Sequence, residues 1–171
     1  MSGCRVPIPR IVAEVMFCPA NRWRILVACM LWLLPHHAAQ AQESVAIIVN
    51  PSNTMSNVSM DGLRRLYLGR TTAFPDRTQV QLLESSGLRE RFYTTVLGMT
   101  GDRVTRHWIG LVFAGEASSP PRERESATEL VRLVAATKGA IAFVPASAAN
   151  ATVTVLPING KRPGHPGYPL R

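Results

Sequence analysis

An α/β layer structure built on a mixed sheet is the fold class that this 171-residue chain predicts. The first observation behind it is Val45-Ala46-Ile47-Ile48-Val49, a continuous apolar, β-branched run that ends at Asn50-Pro51. Such a run reads as a strand buried on both faces. The second is the set of segments with apolar residues at helical spacing that follow it. The third is their alternation with further short apolar runs, which buries strand and helix faces against each other in layers.

Taken in order, a polar loop from Ser52 to Val58 leads to Ser59, which can cap a short helix. That helix carries Leu63, Leu66 and Tyr67 on one side and ends at Gly69. Gln79 to Leu83 is a second strand after the turn at Pro75-Asp76. Ser86-Gly87 opens a helix with Leu88, Phe92, Val96 and Leu97 on one face, and Gly98 stops it. Another helix begins near Asp102 and places Val104, Trp108, Leu111 and Val112 at helical spacing. Ala114 to Arg122 is a Gly/Ser/Pro loop. Ser126-Ala127-Thr128-Glu129 is a capping-box pattern, opening a helix that carries Leu130, Val131 and Val134 and ends at Lys138-Gly139. Ala140–Val144 and Val153–Leu156 complete the strands, before an irregular tail rich in Pro and Gly.

The N-terminus reads as an export signal. Arg22-Trp23-Arg24 precedes the apolar run Ile25 to Leu34, and Ala39-Gln40-Ala41 supplies a small-x-small cleavage pattern. A membrane span needs about 20 apolar residues, more than this run offers. Cleavage after Ala41 is expected, with either Met1 or Met16 as the start. Leu26-Val27-Ala28-Cys29 is similar to a bacterial lipobox, but the apolar run continues past Cys29 and only Ile25 to Ala28 separate it from Arg24. Soluble export to the periplasm or beyond is therefore favoured over a lipid anchor. Cys4, Cys18 and Cys29 all precede the cut, which leaves residues 42–171 without disulfide, thiol or Cys-metal chemistry. Those residues hold thirteen Arg and two Lys against ten acidic groups, a modest basic excess suited to anionic ligands or surfaces.

Catalytic signatures are missing. The chain has no G-x-S-x-G, no G-x-x-x-x-G-K-[ST], no H-E-x-x-H and no dinucleotide fingerprint. Only His107 and His165 follow the cleavage site, and His107 reads as a helix-packing residue. No aromatic-interleaved basic patch points to nucleic acid. No cofactor is implied. The informative segment is Glu84-Ser85-Ser86-Gly87-Leu88-Arg89, where a strand turns directly into a helix start. Free backbone N–H groups, two hydroxyls and the positive end of the helix dipole suit an oxyanion there. Arg89 lies in the first turn, where a cation opposes the dipole and a bound anion would offset the conflict. The alternative is that Ser86 caps the helix and Arg89 points to water, so that removing Arg89 is neutral or slightly stabilising. Asn53 belongs to a Ser/Asn/Thr loop directly after a strand, a place where open α/β sheets bind ligands, although a plain solvated loop is the commoner explanation of such a segment.

Together these segments resemble the phosphate-type periplasmic substrate-binding proteins of ABC transporters. The matching pieces are Val45 to Ser52 (VAIIVNPS), Leu63 to Arg70 (LRRLYLGR), Ser85 to Phe92 (SSGLRERF) and Gly139 to Pro145 (GAIAFVP), with Ile158-Asn159-Gly160, Pro163 and Tyr168-Pro169-Leu170 in the tail. The resemblance implies a single lobe, the second, of a type II periplasmic-binding-protein-like fold. With the export signal already read at 1–41, it makes residues 42–171 a binding domain whose irregular tail spans 159–171. It also implies phosphate or a similar oxyanion as ligand, held by Ser85, Ser86, Gly87, Arg89 and Asn53. An ABC permease, a second copy or a partner lobe are the implied protein partners. The family's Ser-Gly-Thr appears here as Ser86-Gly87-Leu88, one hydroxyl short, and Gln81 and Leu82 stand near the place of the family's Arg. The other reading is a non-enzymatic interaction or scaffold lobe that has lost transport-type binding.

Overall fold

The computed structural model describes residues 43–117 and 119–171. The readings made on the export signal, Cys29 and the start codon lie outside these residues. The chain order is β1 (Val45–Val49), α1 (Met60–Tyr67), β2 (Gln81–Ser85), a 3₁₀ turn (Ser86–Leu88), α2 (Arg89–Leu97), α3 (Gly101–Phe113), β3 (Arg122–Arg124), α4 (Ala127–Ala136), β4 (Ala140–Pro145), a second 3₁₀ turn (Ala146–Ala148) and β5 (Thr154–Leu156). The five strands form one mixed sheet in the order β3-β2-β4-β1-β5. β2 runs parallel to β3 and β4, while β1 runs antiparallel to β4 and β5.

Period-two alternation sorts the strand residues into two cores. Val45, Ile47 and Val49 of β1, with Ile141 and Phe143 of β4, face α1, α2 and α3. Tyr67, Phe92, Tyr93 and Phe143 form an aromatic cluster there, with Phe92 stacked on Phe143 at 4.0 Å between ring centroids. Ala46 and Ile48, with Ala140, Ala142 and Val144, face α4 through Leu130, Val131 and Val134. The continuous apolar runs are thus strands covered on both faces.

The predicted α/β class and its mixed sheet are present. Two strands differ from expectation by more than one residue. The strand expected at Gln79–Leu83 runs Gln81–Ser85, because Glu84 and Ser85 are buried and extended while Gln79 bridges back to Ala73. Arg122–Arg124, placed at the end of a loop, is an edge strand recruited by pairing with Leu83–Ser85. The tail is irregular but not loose: Val45 N donates to Leu170 O at 2.9 Å and Tyr168 Oη donates to Val45 O at 2.7 Å.

Candidate functional site

The parallel strands β2, β3 and β4 deliver their carboxyl ends, Ser85, Arg124 and Pro145, to the same end of the sheet. Open α/β sheets place ligands at such an end. Here β2 passes into the Ser86–Leu88 turn and then into α2. The turn precedes the α-helix instead of belonging to it, so the helix expected at Ser86-Gly87 begins at Arg89. Neither the turn nor α2 is closed by a side-chain cap. Ser86 Oγ donates to Arg124 O on β3, at 3.5 Å, and Ser85 is buried. A Cβ added at Gly87 would meet nothing within 4 Å, so the backbone there faces open space. Ser85, Ser86 and Gly87 are therefore together, at a helix start that lacks a side-chain capping hydrogen bond among the described residues.

Arg89 belongs to the same corner but is turned inward. Its Nε donates to Glu84 Oε1 at 3.0 Å, and its Nη2 donates to Gly101 O at 3.0 Å and to Thr105 Oγ1. Its guanidinium also lies 5.6 Å from the Tyr93 ring centroid. Tyr93 Oη donates to the second oxygen of Glu84. Burial pushes the Glu84 carboxyl above the ordinary range, more than the Tyr93 hydrogen bond and the Arg89 charge pull it down. Burial and the neighbouring Glu84 likewise push the Tyr93 hydroxyl up. Neither sequence expectation for Arg89, an anion or water as its partner, describes this arrangement. The conflict between a first-turn cation and the helix dipole is met by a buried carboxylate from the preceding strand.

Asn53 is not part of the corner. β1 is antiparallel to β4, and Asn50 N donates to Ala140 O, at the start of β4. The far end of β4, at Pro145, is roughly 16 Å away at about 3.3 Å per residue. Asn53 Oδ1 accepts from Met55 N at 2.8 Å, a local turn bond. The neighbouring Asn50 is structural: its Nδ2 donates to Val134 O and Ala135 O, both at 2.9 Å, and so satisfies the last carbonyls of α4. A loop after a strand end is a ligand loop only if that end faces the site, and strand direction was not readable from the residues.

Sequence reasoning also missed the charge around the corner. Glu123, Arg124, Glu125 and Glu129 line an open depression beside Ser86, and Arg124 Nε is paired to Glu129 Oε1 at 3.1 Å. At the same end, Arg91 Nη1 donates to Glu43 O at 2.9 Å, while its Nη2 is buried with no hydrogen-bond partner among the described residues. Arg91 sits in a run of alternating charges that carries no local signal of burial. His107 packs as expected, its Nε2 3.0 Å from Leu68 O. Among the described residues no group of three His, Cys, Asp or Glu is placed to hold a metal ion.

A separate cleft of about 260 Å³ opens along β2, with Leu66, Trp108, Glu116 and Arg122 in its lining. None of Ser85, Ser86, Gly87 or Arg89 lines it. Among the described residues no helix is long and apolar enough to cross a membrane.

This arrangement of layers, strand order and helix-initiating corner is that of one lobe of a type II periplasmic-binding-protein-like fold. Solved structures bear this out. The chain is similar to an ABC-type phosphate transport receptor from Vibrio cholerae, with a TM-score of 0.57 and 16% identity over 71% of this chain and 48% of that one. A phosphate ABC transporter substrate-binding protein from Clostridium perfringens, solved with bound phosphate, gives a TM-score of 0.57 and 16% identity over 71% and 47%. A phosphate binding protein from Stenotrophomonas maltophilia gives 0.52 and 17% identity over 71% and 40%. The chain thus spans about half the length of the structures it matches or somewhat less, and the likeness establishes the fold. No family model matches the chain, and no curated protein does.

Proposed function

We propose that this chain is an exported, non-enzymatic binding module for phosphate or a similar oxyanion, with the anion held at Ser85, Ser86 and Gly87. The observation that carries the reading is the uncapped helix start at the carboxyl ends of three parallel strands, on a fold shared with phosphate-binding proteins. Backbone amides and the two hydroxyls would be the donors, Ser86 giving up its 3.5 Å bond to Arg124 O to serve the anion. Arg89 enters as a positioning residue, because its pairing with Glu84, Gly101 and Thr105 ties the first turn of α2 to β2 and α3. Asn53 has no part in it. A permease, a second copy or a partner lobe would supply what one lobe leaves open.

Calorimetric titration with phosphate, sulfate and molybdate tests this reading. Binding that Ser86→Ala weakens about ten- to a hundredfold is the expected result, since a charge-assisted hydrogen bond contributes about 1.5–3 kcal/mol. Export is tested by N-terminal sequencing, with Gln42 expected as the first residue and a lipidated Cys29 as the overturning result.

One observation favours a second reading, an interaction or scaffold lobe without transport-type binding. Glu84, Glu123, Glu125 and Glu129 surround the corner, and two of them, Glu84 and Glu129, already hold the guanidinium groups of Arg89 and Arg124. A surplus of carboxylates opposes a second anion. Absence of heat with all three oxyanions selects this reading.

A further inference from the structure

The large hydrophobic side chains that stand exposed among the described residues are Ile109, Val112 and Phe113, with 48%, 39% and 89% of their surface free. They lie at i, i+3 and i+4 on α3, so they form one stripe. The helix docks through Val104 and Trp108, and the centre of the stripe lies about a quarter to a third of a turn around the helix from them, so that Val112, expected at helical spacing with them, is left exposed. Phe113 is nearly as exposed as a side chain can be, and in water that apolar surface is unfavourable.

Cations border the stripe. Arg106 is one turn before Ile109, and Arg103 one turn before that; both are exposed. Asp102 and Glu116, at the two ends, are the nearest acidic residues along the chain. Two guanidinium groups, those of Arg103 and Arg106, beside an aromatic and two aliphatic side chains complement a surface that is anionic outside and apolar a few ångströms deeper. Three side chains are far short of the ~800 Å² per partner that a stable protein–protein contact buries, which argues against a second copy as occupant.

We infer that this face of α3 seats the domain on an anionic phospholipid bilayer, with Phe113, Ile109 and Val112 at the headgroup–acyl boundary and Arg103 and Arg106 on the phosphodiesters. The inference is independent of the oxyanion reading. Gly101, at the other end of α3, packs on Arg89 and Glu90. A helix of thirteen residues therefore separates Phe113 from the Ser85–Gly87 corner by roughly 18 Å along its axis, which leaves the corner clear.

Flotation of the full chain with vesicles tests it, comparing equimolar phosphatidylglycerol and phosphatidylcholine against phosphatidylcholine alone. Any contribution of the apolar run Ile25 to Leu34 is common to wild type and variants, so differences between them read the stripe. Preferential binding to the anionic vesicles is expected. Phe113→Ser should weaken it at least tenfold, and Arg106→Gln about fivefold with a shallower salt dependence. Both side chains are exposed, and circular dichroism will show the variants folded. Equal binding to the two vesicle types, or Phe113→Ser binding like wild type, overturns the inference. A concentration-dependent dimer that Phe113→Ser abolishes also overturns it and makes a second copy the occupant.

Discussion

Glu84 keeps only 4% of its surface exposed and gathers Arg89 and Tyr93 around its two oxygens. Its proton is bound more tightly in the folded than in the unfolded chain, because burial raises its carboxyl above the ordinary 4.5. The sign follows from linkage: this residue's unfavourable contribution sets in as pH rises through the folded value and vanishes as pH falls to 4.5. Glu84→Gln should remove that slope. Denaturant titrations of both proteins at pH 7 and pH 5 should therefore show wild type gaining on the variant as the solution is acidified. Arg89→Ala is expected to cost about 3 kcal/mol, the lower end of the range for breaking a buried pair, since Arg89 keeps 22% of its side-chain surface in water. That reverses the neutral or slightly stabilising effect expected from a lone cation at a helix start. The residue's partner is five positions upstream and on a strand, so the dipole argument alone could not supply it.

At the scale of elements, the helix starts divide into two kinds. Ser59 Oγ accepts from Gly62 N at 2.9 Å and Ser126 Oγ from Glu129 N at 3.3 Å, whereas α2 opens without a side-chain cap. Ser59→Ala and Ser126→Ala should each cost about 1 kcal/mol, and Ser86→Ala no more than about 0.5 kcal/mol, all readable by thermal melts of the ligand-free protein. The two glycines that flank the parallel strands divide in the same way. Gly139 has a φ of +87°, and a Cβ there would stand 2.2 Å from Gln79 O. Gly139→Ala should lower stability by about 2–3 kcal/mol, through backbone strain and overpacking at the start of β4. Gly87→Ala meets no neighbour and should leave stability unchanged or raise it by up to about 1 kcal/mol. If the corner binds an oxyanion, the same substitution weakens that binding by crowding the amides.

At the scale of the whole molecule, the tail closes the fold on its first strand. Tyr168 and Leu170 are 3% and 2% exposed and pack in the core that α1, α2 and α3 cover. Truncation after Lys161 removes both side chains and the two hydrogen bonds to Val45. At about 1.5–3 kcal/mol per buried side chain the loss is about 3–6 kcal/mol, a large part of a domain's usual stability of about 5–15 kcal/mol. The truncated chain should melt at a markedly lower temperature. An unchanged melting temperature would mean that the tail's packing contributes nothing.

What the sequence determined by itself is whatever is coded over a few neighbouring residues. Val45–Val49 and Ala140–Val144 announced buried strands because every side chain in a strand covered on both faces must be apolar. Ser59 and Ser126 announced helix starts because a cap and its amide lie three residues apart. The Ser85–Gly87 turn was legible for the same reason. The tertiary structure decided the rest. Strand direction separated Asn53 from that turn by the length of β4, and pairing with β2 made a strand of Arg122–Arg124. Distant chain segments brought Glu123, Glu125 and Glu129 to the corner and drew the tail into the core. These are long-range pairings, chosen by burial and hydrogen bonding across the sheet, and no local pattern of residue types encodes which end of a strand meets which.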